Sequence, residues 1–254
     1  MTRIGDSLGR DRRDWTDLAA LDPLWAVWST PEFRHGASDA AAFLRRGEDE
    51  IGELLGYITT VLGRQPALGR ALDFGCGAGR LTQALAGRFD EVVGVDISPG
   101  MVDTARGLNG RANCRFEVNP HPDLRDFADG HFDLVCSFIT LQHISSRPAI
   151  ERFLGEFVRV TAPGGVAAFQ VLSVVPLRVR AHPRRHLYRL ARDLRVPARV
   201  LYRLGLYSMA LTPIPRDRVD RVVEACGGTV LGAYPDGRSG SDAIPSLTYY
   251  VTPS

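Results

Sequence analysis

The sequence predicts an α/β protein built on a doubly wound, mostly parallel sheet, and three observations carry that prediction. Short apolar runs at 70–74, 91–96, 114–118, 132–138 and 166–172 are separated by stretches of helical periodicity. The runs are continuously apolar instead of alternating, the pattern of strands covered on both faces. The first run feeds straight into three glycines at every second position, Gly75, Gly77 and Gly79, with a helical pattern immediately after. A strand that enters a helix through a glycine turn makes a cofactor cradle. Glycine accepts the dihedrals of a tight turn, and the unpaired N–H groups of the first helical turn face the ligand.

At 254 residues the chain is long enough for one large domain with a substantial core. We expect a single domain over 1–254: an N-terminal helical arm (1–69), a cofactor-binding core (70–172), an arginine-rich helical insert or lid (173–212), and a C-terminal helix with a strand pair (213–254). The segment from Met1 to Trp15 lacks the apolar stretch of a secretory signal, and no run approaches the roughly 18 apolar residues of a membrane span. Cys76, Cys114, Cys136 and Cys226 are scattered without a C-x-x-C pair, which reads as thiols in a reducing cytoplasm and gives no metal site. The chain contains no lysine, so a phosphate-loop lysine, a Schiff-base lysine and a lysine base are excluded.

Residues 1–14 are polar and charged and are expected to fray. From Trp15 to Phe33 the chain turns aromatic, with Asp-Pro and Thr-Pro breaks. This segment is either one or two short helices packed across the domain or a cover over the cofactor or substrate mouth. Ser38 or Asp39 can cap a helix running to about Leu62, with Phe43, Ile51, Leu54 and Ile58 on one face. Strands over Arg70–Phe74 and Glu91–Asp96 bracket a helix from Arg80 to Gly87. Ser98-Pro99 is an N-cap followed by proline at the first helical position, opening a helix to about Leu108. After strands at Cys114–Val118 and Phe132–Phe138, a helix over Pro148–Thr161 stops at Pro163-Gly164-Gly165, and Val166–Leu172 forms the fifth strand. Arg178–Arg203 then holds nine arginines, two histidines and one acid, with an apolar stripe through Leu187, Leu190, Leu194, Leu201 and Leu204. We read two short basic amphipathic helices there. A helix over Pro215–Cys226 and strands at Thr229–Tyr234 and Leu247–Val251 complete the chain.

The spacing of the glycines discriminates among cofactors. A dinucleotide turn has a third glycine where this chain has Arg80. Asp73 also stands at the strand end, two residues before the first glycine. A carboxylate there gains nothing from a pyrophosphate and much from a cation such as S-adenosyl-L-methionine, which carries an ammonium and a sulfonium. Asp96, at the end of the second strand, is placed to accept ribose hydroxyls. Taken alone, Asp73 reads equally as a turn carboxylate bonding local N–H groups.

With these residues in register, Asp73-Phe74-Gly75-Cys76-Gly77-Ala78-Gly79-Arg80-Leu81-Thr82, Val93-Gly94-Val95-Asp96-Ile97-Ser98, Phe132-Asp133-Leu134-Val135 and Leu141-Gln142-His143-Ile144 together resemble the class I SAM-dependent methyltransferases, of the small-molecule type. Pro163-Gly164-Gly165 is similar to that family as well. The resemblance is dense over about 70–172. It implies a seven-stranded sheet whose last strand is antiparallel. It further implies that Asp73 and the backbone of Gly75, Cys76, Gly77 and Gly79 hold the methionine end, that Asp96 takes the ribose and that Ile97 packs on adenine. Met101, Ser137 and Phe138 are counted with these cofactor-binding residues. Relatives often carry an acid after the third strand; here Asn119-Pro120 stands instead, and the Asn119 carbonyl can accept the same hydrogen bond.

The sulfonium is already electrophilic, so the protein must chiefly align an acceptor, and for a hydroxyl acceptor supply a base. Cys136-Ser137-Phe138-Ile139 lacks the prolines found where exocyclic base nitrogens are methylated. His143 is the first candidate base, or it orients its own loop; His35 in the aromatic arm is the second. The arginine-rich insert reads as the solvated face of a lid, as a lid whose arginines meet an anionic acceptor, or as a surface touching anionic lipid or nucleic acid. The resulting expectation is a cytoplasmic enzyme that transfers a methyl group from S-adenosyl-L-methionine to a small-molecule acceptor, at oxygen. The alternatives are an RNA methyltransferase using the insert, or a methyltransferase-like protein that binds without turnover.

Overall fold

The computed structural model describes residues 2–28, 39–180, 183–207, 210–239 and 244–254. Along the chain these form α1 (Thr2–Leu21), α2 (Pro23–Val27), α3 (Ala40–Thr60), β1 (Arg70–Phe74), α4 (Arg80–Leu85), β2 (Glu91–Asp96), α5 (Pro99–Leu108), β3 (Cys114–Val118), β4 (Phe132–Ser137), a 3-10 turn (Leu141–His143), α6 (Arg147–Val160), β5 (Thr161–Leu172), α7 (Leu177–Arg180), α8 (Pro183–Asp193), α9 (Ala198–Arg203), α10 (Arg216–Ala225), β6 (Gly228–Asp236) and β7 (Ser246–Pro253).

The sheet order is β3-β2-β1-β4-β5-β7-β6. Strands β1 to β5 pair in parallel, and β7 runs antiparallel to both β5 and β6. Seven strands with one reversed are therefore present as expected. Neighbouring residues of each central strand turn to opposite cores. Leu72, Val93 and Val135 join Phe153, Phe157 and Val223 of α6 and α10, whereas Ala71, Val92 and Leu134 join Ile58, Leu85 and Val102 of α3, α4 and α5. Two buried faces explain why the strand sequences are apolar without alternation. The sheet reverses its winding at β1, which has β2 on one side and β4 on the other. Loops leaving the carboxyl ends of β1 and β4 diverge there and leave a crevice.

Several expected boundaries move. Strand β5 begins at Thr161, before the Pro163-Gly164-Gly165 turn, because that turn is an irregularity inside the β4–β5 ladder, between the pairs Phe132↔Thr161 and Leu134↔Val166. Asp39 is the cap of α3, its side chain accepting the Ala41 N–H; Ser38, the other candidate, lies outside the described residues.

Two corrections concern the flanks. The N-terminal residues expected to fray form the body of α1, whose Leu8 and Leu18 are buried. Its polar residues are used by distant elements: Tyr188 of α8 donates to Asp14 at 2.9 Å, Arg192 pairs with Asp17, and the Ser145 N–H donates to Asp11 at 3.0 Å. Among its described residues the insert holds three helices, not two, and of its expected stripe only Leu201 is buried. Leu187, Leu190, Leu194 and Leu204 are exposed, while Tyr188, Leu201, Tyr202 and Leu206 are buried. The tyrosines win the interior because their hydroxyls find acids on the arm: Tyr202 bonds Asp22 at 3.0 Å as Tyr188 bonds Asp14.

Phe157 anchors the α6 face, fully buried against Phe74 and Phe169. We expect Phe157→Ala to lower stability by about 3–5 kcal/mol, the usual cost of emptying a large buried ring site. Urea denaturation checks this, and a loss below about 1 kcal/mol would show that the site collapses freely.

Candidate active site

The site grows from the end of β1. Backbone N–H groups of Gly75 and Cys76 both donate to the carbonyl of Val95 on β2, which folds the chain sharply as it leaves the strand. Gly75, Gly77 and Gly79 all have positive φ, at 77°, 51° and 84°, so the turn is left-handed at each alternate residue. At Gly77 the close approach matters as much as the dihedral: a Cβ there would stand 2.6 Å from Val27 of α2, which packs over the turn. Gly79 ends the turn as the N-cap of α4 and faces Phe116 and Ala105, away from the ligand side.

Two carboxylates flank this turn. Asp73 is buried; its Oδ2 accepts the Thr82 hydroxyl at 2.6 Å, and the Cys136 thiol lies 3.8 Å from Oδ1. Burial raises its pKa to about 6, against the lowering effects of the Thr82 bond and the Arg80 charge. Asp96 closes the turn from β2, Oδ2 accepting the Gly77 N–H at 3.0 Å and Oδ1 the Ser98 N–H at 2.8 Å. Burial raises its pKa as well, opposed by those backbone bonds. Asp96 thus orders the turn while presenting its remaining lone pairs to the crevice.

A largely apolar cavity opens over these residues. Its wall includes Asp73, Gly75, Cys76, Gly77, Asp96, Ile97, Met101, Asn119 and Phe138. All nine are expected cofactor residues, and the structure brings them together. Asn119 spends Oδ1 on the His121 N–H at 3.0 Å and Nδ2 on the Asp123 carbonyl, which fixes the direction of its amide. Two expected residues stand outside the wall. Gly79 faces Phe116, and the Ser137 hydroxyl is fully buried with no hydrogen-bond partner among the described residues.

The cavity is lined as well by Leu8, Asp11 and Trp15 of α1 with Thr140, His143 and Ile144. Asp11 was not legible as a site residue: its segment looked like a polar tail, and only the packing of α1 brings it here. Burial raises its pKa, opposed by the bond from Ser145. His143 is buried, with Trp15 edge-on at 5.5 Å. Its Nδ1 lies 2.9 Å from the Ala210 carbonyl and its Nε2 lies 3.0 Å from the Gln142 amide nitrogen. A carbonyl only accepts, so Nδ1 carries the proton and Nε2 accepts from Gln142. The same logic runs on into the sheet. The Gln142 oxygen accepts from Gln170 at 3.1 Å, and the Gln170 oxygen accepts the Ile139 N–H at 3.1 Å. The chain of bonds begins on a backbone donor and ends on a backbone acceptor, which orients both amides and sets the tautomer. His35, the second candidate base, lies outside the described residues.

A second, polar cavity lies between α1 and α8, lined among others by Arg10, Arg13, Asp14, Tyr188, Arg189 and Arg192, and it shares Asp11 with the first. Arg80 is the other residue that sequence reasoning undervalued. It stands where a dinucleotide turn has its third glycine, and it is nearly fully buried, with its Nη1 bonded to Glu50 at 2.5 Å. Among the described residues no group of three His, Cys, Asp or Glu side chains is arranged to hold a metal ion.

A glycine cradle and two strand-end carboxylates at the winding reversal of an α/β sheet define a nucleoside-cofactor-binding domain of the Rossmann-like class. Comparison with known proteins narrows this. Residues 72–169 match the family described as "Methyltransferase domain". The malonyl-[acyl-carrier protein] O-methyltransferase of Serratia marcescens is 35% identical over 144 residues, covering 56% of this chain and 51% of that protein. A ubiquinone biosynthesis O-methyltransferase of Bordetella avium is 29% identical over 165 residues, 64% of this chain and 63% of that one, and the ajmaline N-methyltransferase of Rauvolfia serpentina is 36% identical over 109 residues, 41% and 35%. The chain thus spans about half the length of the curated relatives it matches. Among solved structures, the PH0226 protein of Pyrococcus horikoshii OT3 superposes with a TM-score of 0.59 at 20% identity, covering 91% of this chain and 98% of that one. Magnesium protoporphyrin IX methyltransferase from Synechocystis, solved with bound SAH, gives 0.57 at 16%, covering 91% and 94%; both likenesses concern the fold. Residues 72–169 thus match a methyltransferase-domain family, and over most of its length the chain is similar in fold to SAM-dependent methyltransferases.

The raised pKa of Asp73 fixes a sign for stability. A carboxyl whose folded pKa lies above its unfolded value contributes stability present below about pH 4 and lost as pH rises through about 6. We expect Asp73→Asn to be more stable than the wild type in urea at pH 7.5, by on the order of 1–3 kcal/mol, with the gap closing near pH 4. The same variant should bind a cationic donor more weakly. Equal stability at both pH values would show that Asp73 is solvated in the free protein.

Proposed function

We propose that this chain transfers the methyl group of S-adenosyl-L-methionine to a small-molecule acceptor, at oxygen, in the cytoplasm. The observation that carries this reading is the pair of carboxylates, buried Asp73 and half-buried Asp96, on either side of a left-handed glycine turn, opening into an apolar cavity. When bound, the donor supplies the electrophilic methyl group; the protein's part is to hold both reactants and keep water out. Asp73 would meet the ammonium, in surroundings of low dielectric that strengthen the attraction. Asp96 would accept ribose hydroxyls, with Ile97 and Met101 as apolar walls. Trp15, Leu8, Ile144 and Phe153, which line the same cavity, would give the acceptor apolar walls. Oxygen as the nucleophile is supported by two relatives named as O-methyltransferases, against one named for nitrogen.

A hydroxyl acceptor must lose a proton, and Asp11 and His143 are the groups placed to take it. For His143 this requires Nε2 to exchange Gln142 for the acceptor; Asp11 takes the Ser145 N–H on Oδ2 and is also bonded by the Ser145 side chain. What favours an anionic acceptor is that Arg10, Arg13 and Arg189 line the second cavity, alongside Asp11, Asp14 and Asp193, since guanidinium groups match carboxylate or phosphate oxygens. An RNA acceptor is less well served. Tyr188 and Tyr202, the insert's aromatics nearest its arginines, are turned inward onto Asp14 and Asp22 and offer no face for base stacking. No helix among the described residues is long and apolar enough to cross a membrane. The exposed Leu187, Leu190 and Leu194 beside Arg189 and Arg195 leave room for peripheral contact with anionic lipid.

Calorimetry with S-adenosylhomocysteine tests the donor assignment. We expect binding by the wild type and a loss of about tenfold or more in Asp96→Ala. No binding by the wild type, or unchanged binding by the variant, would overturn it. Bulk RNA should bind weakly, without the steep salt dependence of a phosphate-tracking surface.

Turnover separates the two bases. Loss of the operative base should lower turnover by about 10²–10⁴-fold with donor affinity retained, in Asp11→Asn or in His143→Ala. Full activity in both would show that alignment alone suffices. Failure of the wild type to methylate any acceptor in a broad metabolite screen, with donor bound, would favour a binding protein without turnover.

A further inference from the structure

The exposed apolar side chains of this protein are gathered in one segment. Among the described residues ten large hydrophobic side chains are exposed, and seven of them fall within 173–212. Helix α8 shows the pattern most clearly. Leu187, Leu190 and Leu194 recur at spacings of three and four, which puts them in one stripe, and they are 52%, 57% and 71% exposed. The side of α8 that packs is a different one, through Tyr188 on Asp14 and Arg192 on Asp17. Helices α8 and α9 meet through Tyr188, Leu201 and Leu206, and that contact also leaves the stripe uncovered. The surroundings of the stripe are basic. Arg189, Arg195, Arg199 and Arg203 are exposed, and none of them forms an ion pair among the described residues. Asp193 is the single acid of 173–212.

Leucines in water gain from an apolar cover, and unpaired guanidiniums close together gain from an anionic one. A bilayer with anionic headgroups supplies both at once. A helix with arginines beside a leucine stripe lies in the plane of such an interface, its leucines among the acyl chains and its cations at the phosphates. We propose that α8 docks the protein on an anionic lipid surface through Leu187, Leu190 and Leu194, with Arg189, Arg195, Arg199 and Arg203 at the headgroups. A second copy of the chain fits less well, because a two-fold contact sets this patch against itself and arginine against arginine. A nucleic acid would meet the guanidiniums and leave the leucines in water. The docking face also has a place relative to the site. Arg189 and Asp193, on the flank of α8 next to Leu190, line the polar cavity that shares Asp11 with the cofactor cavity. Docking therefore sets the bilayer beside that polar cavity. The inference concerns where the protein sits and is independent of the donor assigned above.

Vesicle flotation tests this. Vesicles of phosphatidylcholine alone are compared with vesicles of phosphatidylcholine and phosphatidylglycerol, on the wild type and two double variants, Leu190→Ser with Leu194→Ser and Arg195→Gln with Arg199→Gln. All four side chains are exposed, so both variants should keep the wild-type melting temperature and S-adenosylhomocysteine affinity. The wild type should bind the anionic vesicles about tenfold or more better than the neutral ones, and lose part of that binding at high salt. Each double variant should bind the anionic vesicles about tenfold or more weakly than the wild type, since leucines and arginines act together. A wild type that fails to float with either vesicle overturns the proposal and needs no variant to fold. Undiminished binding by the leucine variant overturns it too, showing charge attraction without insertion. Self-association that depends on the leucines, seen by sedimentation without vesicle binding, gives the stripe to a second copy instead. Leucine-dependent binding of an acidic protein, again without vesicle binding, gives it to a protein partner.

Discussion

A carboxylate almost wholly removed from water, at the end of the central strand, is the constraint on which the rest depends. Asp73 is fixed by β1, with β2 and β4 paired on either side, and its hydroxyl partner Thr82 comes from the helix that the glycine turn launches. Burial alone disfavours its ionised form, and its pKa of about 6 records how incompletely Thr82 and the charge of Arg80 offset that. A group left in this condition is poised for a cation, because the low dielectric that penalises it also strengthens what it attracts. The sheet must be covered on both faces and α1 to α3 must close over the turn for that environment to exist.

The cradle and the rest of the cavity lining are built by different rules. The cradle hangs on consecutive strand ends, where register alone brings Asp73, Asp96 and the glycine turn within reach of one another. The rest of the lining is assembled from segments far apart in sequence. Helix α1 meets α8 through Asp14 and Asp17, Asp22 at the start of α2 meets α9, and the insert is tied back to the sheet through Gln170, Gln142, His143 and the Ala210 carbonyl. Each of these contacts uses a polar pair in a sheltered place, where leaving one partner unmade is costly. Such contacts specify one arrangement of arm and insert, whereas the exposed leucines of α8 do not.

Much of the fold was legible because the information is local. Continuous apolar runs mark two-faced strands, Ser98-Pro99 marks a helix start, and the glycine spacing with Asp73 and Asp96 marks the cradle. Nine of the expected cofactor residues share one cavity wall for the same reason: their positions follow from strand register. Gly79 and Ser137 lie in the same segments but face away, since a turn and a strand alternate the direction of their residues. The reading of residues 1–14 as a tail failed because its helix is stabilised by partners more than 100 residues away. The stripe in the insert failed because apolar periodicity cannot tell which face a protein will cover when tyrosines with acid partners compete for the interior.

The sequence by itself determined the sheet, the cradle and the chemical type of ligand the cradle suits, because backbone pattern and short spacing decide those. Only the tertiary structure decided that Asp11 reaches the cavity, that both nitrogens of His143 are engaged, and that Arg80 is held by Glu50 beside Arg238. These are facts about which side chains meet once everything has packed. Pairing in a closed interior is settled by elements distant along the chain, so no local pattern contains it.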